Sequence, residues 1–320
     1  MNMLDDDSLA ALALTSRLVG SAVKPMSSRE FRELRRRADP VNLLGKPASV
    51  VATTLDIRTD EAERIATLLD RGTGLAIALE KFAHSGIWTI ADCGGGYPQR
   101  LLQRLGDAAP VVLHGVGDIS LLALDGVGVV GSRTVGPDGH EAARQIAIAA
   151  VQSGRHVVSG ASGEVDQTAM NAATTSDGHV IGVLAGSLEN AIENPNTRKG
   201  ITVGAICLVT PYAPSSGFSA VNAMGRSKII YGLSQCTVVV NSEKTGATWT
   251  GATEALKHRY GRVACWTGDG AGPGNSGLIG LGAKPLSNPG HLTQLLSETL
   301  PPSLPDDAED LDGQQLSLGF

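Results

Sequence analysis

The sequence predicts an α/β fold with a doubly wound, mainly parallel sheet and a small all-helical N-terminal domain. Seven short apolar runs alternate with helix-like or glycine-rich stretches, and two of the runs end directly in turns of small residues. Such runs are typical of strands buried on both faces, and the alternation indicates a Rossmann-like sheet with right-handed crossovers. The runs are Val111 to His114, Val127 to Val130, His156 to Ser159, Val180 to Leu184, Ala205 to Val209, Thr237 to Val240 and Val263 to Trp266.

Residues 1–87 are predicted to form the helical N-terminal domain. An Ala- and Leu-rich segment covers residues 8–19, Ser28 can cap a helix over residues 29–38, and acids open a third helix at residues 59–69. The second of these helices carries Arg32, Arg35, Arg36 and Arg37. These arginines form either a solvated helix face or a DNA-contacting face.

Residues 88–285 are predicted to form the Rossmann-like domain. Gly139 to Gln152 is expected to be a crossover helix, since Ala142, Ile146, Ala149 and Ala150 recur at helical spacing and no proline interrupts them. This crossover brings the turns after the second and third apolar runs side by side. They meet at the carboxyl edge of the sheet, where open α/β sheets bind nucleotides and anions.

Residues 286–320 are predicted to form a flexible acidic tail, because a composition rich in Ser, Pro, Asp and Gln buries too little apolar surface to offset the entropy of ordering. A short helix is expected around residues 292–299. The last six residues resemble the QLxLxF peptide with which bacterial replication and repair proteins bind the sliding clamp. Candidate partner-binding residues are therefore Gln315, Leu316, Leu318 and Phe320, with a self-docking or inert tail as the alternative.

The charge balance restricts how the chain can bind a polyanion. The net charge is −6, but five acids lie between residues 306 and 312, so the rest of the chain is close to neutral. A polyanion therefore needs a local basic pocket. Only 3% of the residues are aromatic, which excludes a long base-stacking platform and leaves Phe218, Tyr212 or Trp249 to stack one base, with core packing as the alternative.

Several classes of site and location find no support in the sequence. The glycines near residue 131 lack GxGxxG spacing and no GxxxxGK[ST] occurs, so neither NAD nor ATP is expected. Scattered histidines, the lack of a CxxC pair and the lack of a GxSxG elbow argue against a metal site and against hydrolysis. No apolar run can span a membrane, and the N-terminus is acidic. We expect a cytoplasmic protein with no cofactor, no metal, no membrane association and no catalytic activity.

An anion site is predicted where three loops meet at the carboxyl edge of the sheet. The loops offer backbone N–H groups, hydroxyls and an arginine, which pairs with phosphate in a bidentate manner. The candidates are Gly131, Ser132 and Arg133 in the first loop, Ser159 and Gly160 in the second, and Thr245, Gly246 and Thr248 in the third. As an alternative, the glycines close only tight turns between strands and helices.

A second basic element supplies Arg226 and Lys228. The segment around them is predicted to open a helix at Gly225. Cations at a helix start oppose the macrodipole unless a bound anion compensates. Both side chains are therefore candidate phosphate contacts.

In order and spacing, residues 88–285 resemble the DNA-processing protein family DprA, also called Smf, whose core is an extended Rossmann domain. Each matching piece is short, and their colinearity carries the resemblance. The pieces are Tyr97-Pro98, Ala109 to Leu113, Val129 to Arg133, Ser159 to Asp166, Ile181 to Gly186, Arg226 to Ser234, Thr245 to Thr248 and Ser276 to Ile279.

The resemblance implies a protein that binds single-stranded DNA in a basic pocket at the sheet edge and helps to load the recombinase RecA in natural transformation. Arg133 then corresponds to the arginine of the family's GSR motif, and Arg226 and Lys228 to the two arginines of its RNR motif. Lysine keeps the charge but loses the planar fork of arginine. A homodimer is expected.

Departures from the family pattern indicate a divergent member. Where the family usually has SGLAxGID followed by a histidine, this chain has Ala161, Ser162, Glu164 and Met170. Glu164 is expected to repel a nearby phosphate. A role in phage defence or in a toxin-antitoxin pair is therefore an alternative to transformation.

Two other functions stay open. One is a nucleotide-binding enzyme or sensor related to the phosphoribohydrolases, although Thr250 to Glu254 has one residue too many for their GGxGTxxE pattern. The other is an antitoxin or phage-defence adaptor that acts through protein contacts.

Overall fold

A nine-stranded sheet forms the centre of the molecule in the computed structural model, which describes residues 4–299. The strands are β1 (Trp88–Ala91), β2 (Val112–Val116), β3 (Gly126–Gly131), β4 (Val157–Ser159), β5 (Val180–Val183), β6 (Ile206–Thr210), β7 (Ser234–Asn241), β8 (Arg262–Trp266) and β9 (Lys284–Leu286). Across the sheet they follow the order β1-β2-β6-β5-β4-β3-β7-β8-β9.

Helices precede the sheet and connect its strands. Before β1 lie α1 (Asp6–Thr15), α2 (Ser28–Arg37), α3 (Ala48–Leu55), α4 (Thr59–Leu69) and α5 (Gly72–His84). The later helices are α6 (Gln99–Leu105), α7 (Pro137–Gln152), α8 (Glu164–Thr175), α9 (Leu188–Glu193), α10 (Pro195–Thr202), α11 (Ala220–Leu233), α12 (Ala247–His258), α13 (Asn275–Gly280) and α14 (Leu292–Ser297). From residue 4 to residue 299, no helix has the length and apolar character needed to cross a membrane.

The predicted α/β class and the mainly parallel pairing are confirmed. The strands from β6 to β9 in this order all pair in parallel. The two remaining pairs, β1 with β2 and β2 with β6, are antiparallel. The predicted crossover helix is α7, which leads from β3 to the adjacent β4. β1 and β9 are strands that the apolar runs did not predict. Both are short edge strands, and β9 carries the exposed Lys284 and Pro285, which are typical of an edge.

The strand order reverses between β3 and β7. After β3 the chain builds β4, β5 and β6 outward on one side, and then returns through α11 to place β7 on the other side of β3. Ligands of doubly wound sheets bind in the crevice outside the carboxyl ends of the strands at such a reversal. The topology therefore points to the loops after β3 and β7.

Apolar side chains fix β3 between two packed layers. Val127 and Val129 are fully buried in the cluster formed with α7 and α8, whereas Val130 faces the cluster formed with α11 and α12. This alternation is that of a strand buried on both faces. The turn that follows Gly131 is therefore mounted on a rigid strand.

The N-terminal helices are attached to the β1-β2 edge of the sheet. Phe31 and Leu34 of α2 share an apolar cluster with Val111 and Val112. Four of the arginines of α2 are paired with carboxylates: Arg32 and Arg35 with Asp92 (2.8 and 3.5 Å), Arg36 with Asp107 (2.8 Å) and Arg37 with Glu33 (2.7 Å). These pairs favour a structural role over the DNA-contacting face. The division of the chain at residues 87 and 285 stays a prediction.

The short helix expected around residues 292–299 is present as α14. Its Leu292, Leu295 and Leu296 are buried in the same layer as α7. The candidate clamp-binding residues Gln315, Leu316, Leu318 and Phe320 lie outside the described residues.

Candidate functional site

A cleft of about 530 Å³ opens at the reversal point between β3 and β7, and we call it the switch-point cleft. Its walls come from the turn after β3, the turn before α8, the loop after β7, and one face of α11. Seven of the residues predicted to bind phosphate line it: Gly131, Ser132, Arg133, Arg226, Thr245, Gly246 and Thr248. The fold thus brings together most of the site that the sequence predicted.

The turn after β3 is held by hydrogen bonds to its neighbours. The backbone N–H of Ser132 donates to the carbonyl oxygen of Asn241 at 2.9 Å, at the end of β7. The hydroxyl of Thr248, in the first turn of α12, donates to the carbonyl oxygen of Gly131 at 3.1 Å. These bonds join the ends of β3 and β7 to the start of α12, so the floor of the cleft is preformed.

The N-terminus of α12 supplies uncapped backbone donors to the cleft. The helix begins after Gly246, whose φ of 90° is strained for any residue with a side chain. No side chain caps this end, and the first N–H groups of a helix have no partner within the helix. Together with the helix dipole, they favour an anion at this position.

Arg133 is the exposed cation at the mouth of the cleft. Its guanidinium carbon lies 4.7 Å from the centre of the Phe218 ring, and Phe218 is 51% exposed. Within residues 4–299, Arg133 makes no ion pair. Stacking on an aromatic face positions a guanidinium while leaving its N–H edge available to a phosphate.

Arg226 has a different environment, because its side chain is buried. Its Nη2 donates to the hydroxyl of Ser162 at 2.9 Å and lies 3.9 Å from Oδ2 of Asp166. A Cβ at Gly160 would overlap the guanidinium, so a glycine is needed at that position. Burial raises the pKa of Asp166, and the charge of Arg226 acts in the opposite direction. Arg226 therefore forms part of the wall together with Ser162, a hydroxyl that the sequence places in the second loop, and Asp166, which the sequence analysis did not single out.

Lys228 does not lie in the switch-point cleft. α11 begins at Ala220, capped by the Ser219 hydroxyl, which accepts from the backbone N–H of Asn222, so the predicted helix start at Gly225 is wrong. The macrodipole argument consequently does not apply to Arg226 or Lys228. Residues two apart on a helix point about 200° away from each other. Lys228 therefore lines a groove on the opposite side of α11, and the expectation that the three cations share one cleft is corrected.

Ser159 and Gly160 lie behind the cleft. Ser159 is fully buried, and its hydroxyl donates to the carbonyl oxygen of Val129 at 2.6 Å, which ties β4 to β3. Gly160 makes room for the guanidinium of Arg226. In this position both residues support the site, and direct contact with DNA stays a prediction for them.

Glu164 has a role that the sequence analysis did not anticipate. Its Oε2 accepts the backbone N–H of Val135 at 2.9 Å and lies 3.4 Å from Nε2 of His140. The carboxylate thus fixes the loop that carries Arg133, and it does not line the cleft. The expected repulsion of a phosphate by Glu164 stays a prediction. The carboxylates that do line the cleft belong to the exposed Glu243 and to the buried Asp166.

A larger cleft, of about 910 Å³, adjoins the switch-point cleft. Apolar side chains share its lining with hydroxyl and amide side chains, and Lys199 is the one charged residue among the described residues that form it. Ser162 lines both clefts, and Phe218 lines the larger one while it stacks with Arg133. The Arg133 and Phe218 pair therefore marks the boundary between the two.

The part of the chain that the structure describes contains neither a group of side chains placed to bind a metal ion nor a disulfide. There, no three His, Cys, Asp or Glu side chains are grouped so as to hold a metal ion. The four cysteines are unpaired, and burial raises the pKa of Cys207, Cys236 and Cys265 to about 12.

Known proteins share the core that carries this cleft. The family model for DNA recombination-mediator protein A matches residues 88–297. DNA processing protein DprA of Bacillus subtilis (strain 168) is 26% identical over 227 residues, which are 69% of this chain and 74% of that protein.

Two solved structures are similar in fold. DNA processing protein A from Streptococcus pneumoniae has a TM-score of 0.63 at 21% identity, covering 84% of this chain and 98% of that chain. DNA processing protein A from Helicobacter pylori, for which a single-stranded DNA binding mode is described, has a TM-score of 0.53 at 20% identity, covering 66% of this chain and 95% of that chain. At these identities the likeness shows a shared fold.

Proposed function

Because the chain belongs to the DNA recombination-mediator protein A family, also known as DprA or Smf, we propose that it binds single-stranded DNA at the switch-point cleft and acts as a DNA-processing mediator without catalysis. Support comes from the relatives and from the geometry of the cleft. Its chemistry is that of phosphate and base binding.

The position of Arg133 is the main support for this proposal. It is an exposed, unpaired cation, stacked on Phe218, at the mouth of a cleft whose floor contains the uncapped start of α12. A phosphate between them would receive charge-assisted hydrogen bonds from the guanidinium and from backbone N–H groups. The hydroxyl of Thr245 is a further donor in the lining, whereas the hydroxyl of Ser132 donates to the carbonyl oxygen of Asn241 at 3.4 Å.

Single-strand selectivity follows from the size and composition of the site. The cleft has a volume of about 530 Å³ and lies at the end of two strands, and Phe218 presents half of its surface beside it. Unpaired bases can turn toward an aromatic ring, whereas the bases of a duplex are stacked on each other. Arg226 is neutralised by Asp166, so it contributes the shape of the wall more than attraction to phosphate.

Partners and context are proposed from family membership. A RecA-type recombinase, a second copy of the chain in a homodimer and a sliding clamp bound by the C-terminal peptide are the expected partners, in the cytoplasm. Natural transformation and phage defence are the alternative pathways. No contact in residues 4–299 bears on these partners, since the structure holds a single chain.

No specific observation supports either of the two alternative functions. If the protein were an enzyme related to the phosphoribohydrolases, Glu254 would face the ligand. However, Glu254 does not line the switch-point cleft, and it accepts a hydrogen bond from the Tyr260 hydroxyl at 3.3 Å. Release of free base from nucleoside monophosphates by the purified protein would favour that enzyme. Retention of partner protein without any affinity for DNA would favour the adaptor.

The test is oligonucleotide binding by an Arg133→Gln variant, measured by fluorescence anisotropy with a labelled oligo(dT) of about 16 nucleotides. Loss of a charge-assisted hydrogen bond of about 1.5–3 kcal/mol predicts binding weaker by roughly 10- to 100-fold. Arg155→Gln is the matched control, because Arg155 precedes β4 at the opposite edge of the sheet. Equal affinity of Arg133→Gln and the wild type would contradict the proposal.

A further inference from the structure

A second cation-lined groove lies on the other side of α11, between that helix and the N-terminal helices; we call it the α2-α11 groove. Its volume is about 550 Å³. One wall is formed by the end of α1 and the start of α2, and the other by a face of α11 that includes Asn222, Gly225 and Lys228. These three residues are spaced three apart, so they share one side of the helix.

The charged side chains in this groove are of one sign. Arg17 and Lys228 are both cationic, and no Asp or Glu is among the described residues that line it. Neither cation forms an ion pair within residues 4–299, in contrast to the four paired arginines of α2. His114, at the base of the groove, is neutral near pH 7, because burial lowers its pKa to about 4. The groove therefore keeps a positive potential with no internal partner.

The wall also offers polar groups suited to an anion. Ser16 is 8% exposed, and its hydroxyl is buried without a hydrogen-bond partner in the described residues. Beside it, Ser27 and Ser28 form the start of the ten-residue helix α2, where a capping box between Ser27 and Glu30 already supplies partners for the N–H groups of both residues. An unsatisfied buried hydroxyl is uncommon, and a ligand or water that reaches it removes the penalty.

Both walls of the groove are held in place before any ligand binds. The guanidinium of Arg32 lies 2.8 Å from Asp92, and its Nη1 donates at 2.9 Å to the carbonyl oxygens of Asp107 and Ala109. On the other wall, the Tyr212 hydroxyl donates to the carbonyl oxygen of Asn222 at 2.9 Å. A preformed groove loses less entropy when a ligand binds than a mobile surface does.

The crest of α11 connects the groove with the switch-point cleft. Val221 lines the groove and is 73% exposed, whereas Met224 lines the cleft and is 43% exposed. Phe218 precedes the helix, half exposed, at the same end. An apolar crest between two cation-lined depressions suits a flexible chain that alternates flat apolar groups with anions, which describes single-stranded nucleic acid.

We propose that the α2-α11 groove is a second phosphate-binding track for the same single strand that enters the switch-point cleft. The strand crosses the N-terminal half of α11, its phosphates reach Lys228 and Arg17, and its bases lie against the crest. This inference rests on the proposed function, and it assigns Lys228 a phosphate contact in a different depression from Arg133.

The test compares two oligo(dT) lengths, about 4 and about 16 nucleotides, because the shorter one fills one depression only. The variants are Arg133→Gln and the double variant Arg17→Gln with Lys228→Gln. Lys284→Gln is the matched control, since Lys284 is an exposed lysine on the edge strand β9. Arg17 and Lys228 are unpaired and not fully buried, so unchanged thermal unfolding is expected and is measured first.

Arg133→Gln is expected to weaken the binding of both lengths. The double variant is expected to leave the short oligonucleotide unaffected and to weaken the long one at least tenfold, with a salt slope reduced by about 1.4, or 0.7 for each lost phosphate contact. If the double variant binds the long oligonucleotide like the wild type, the proposal of a second track is overturned, whereas DNA binding at the switch-point cleft is not contradicted. If it weakens the short oligonucleotide as much as the long one, the track is also overturned. If Arg133→Gln changes neither length, the proposed function fails independently.

Discussion

The two sides of α11 use cations in opposite ways. On the cleft side, Arg226 is buried, bonded to Ser162 and paired with Asp166. On the groove side, Lys228 is partly exposed and has no acidic partner in the described part of the chain. Two basic residues separated by one position therefore differ in role: Arg226 shapes a binding surface, and Lys228 offers charge to a ligand. The difference shows that the partner of a cation, more than its residue type, determines what it can bind.

The energetic consequences also differ between the two sides. A buried ion pair offsets its own desolvation only while both partners are present, so the loss of one is strongly destabilising. An exposed, unpaired cation contributes little to stability and can be removed without unfolding the protein. Substitutions in the buried pair of Arg226 and Asp166 should therefore change stability, and those of Lys228 should change binding alone.

The largest effect is expected for Asp166→Asn, which leaves the charge of Arg226 buried without a partner. The free energy of unfolding should fall by about 3–5 kcal/mol, measured by urea denaturation. Glu141→Gln, at the exposed pair in which Arg144 lies 2.7 Å from Glu141, is the control and should leave it nearly unchanged.

A second variant tests whether the unpaired charge of Arg226 causes this loss of stability. Adding Arg226→Met to Asp166→Asn removes the stranded charge, so the double variant should recover part of the lost stability. Equal losses for Asp166→Asn and the exposed control, with no recovery in the double variant, would show that the pair does not fix the cleft wall.

A smaller effect is expected for Phe218→Ala, which removes the ring under Arg133 while leaving the charge in place. The affinity for single-stranded DNA should fall by about 1 kcal/mol, or roughly fivefold, through lost stacking and weaker positioning of the guanidinium. Leu124→Ala is the control, since Leu124 is 56% exposed and precedes β3 at the opposite edge of the sheet. A variant at Phe218 that binds as the wild type does would argue that Arg133 acts without it.

Local patterns were sufficient to predict much of the fold and the loops of the cleft. The strand ending near Val130 and most of the helix from Pro137 to Gln152 could be predicted, because apolar periodicity and small-residue turns are encoded within a few positions. The start of α11 was missed because Gly225 in mid-helix resembles a boundary. The signal was nevertheless present in Ser219, whose hydroxyl caps the helix.

The pairing inside the site was not predictable in the same way. Arg226 and Asp166 are 60 positions apart and meet only because α8 and α11 flank the same end of the sheet. A cation that the sequence presents as a ligand residue is thus neutralised by a contact that local patterns do not encode. The opposite orientation of Lys228 follows from helix geometry once the true start of α11 is known.

The most direct test of the central claim is the salt dependence of single-stranded DNA binding, compared with that of a duplex of equal length. If Arg133, Arg17 and Lys228 are the unpaired cations that contact phosphates, the slope of log K against log salt should be about −2 for an oligonucleotide of about 16 nucleotides. Arg133→Gln should reduce that slope by about 0.7, and the duplex should bind more weakly. A flat salt dependence, or a duplex bound as tightly as the single strand, would contradict the account.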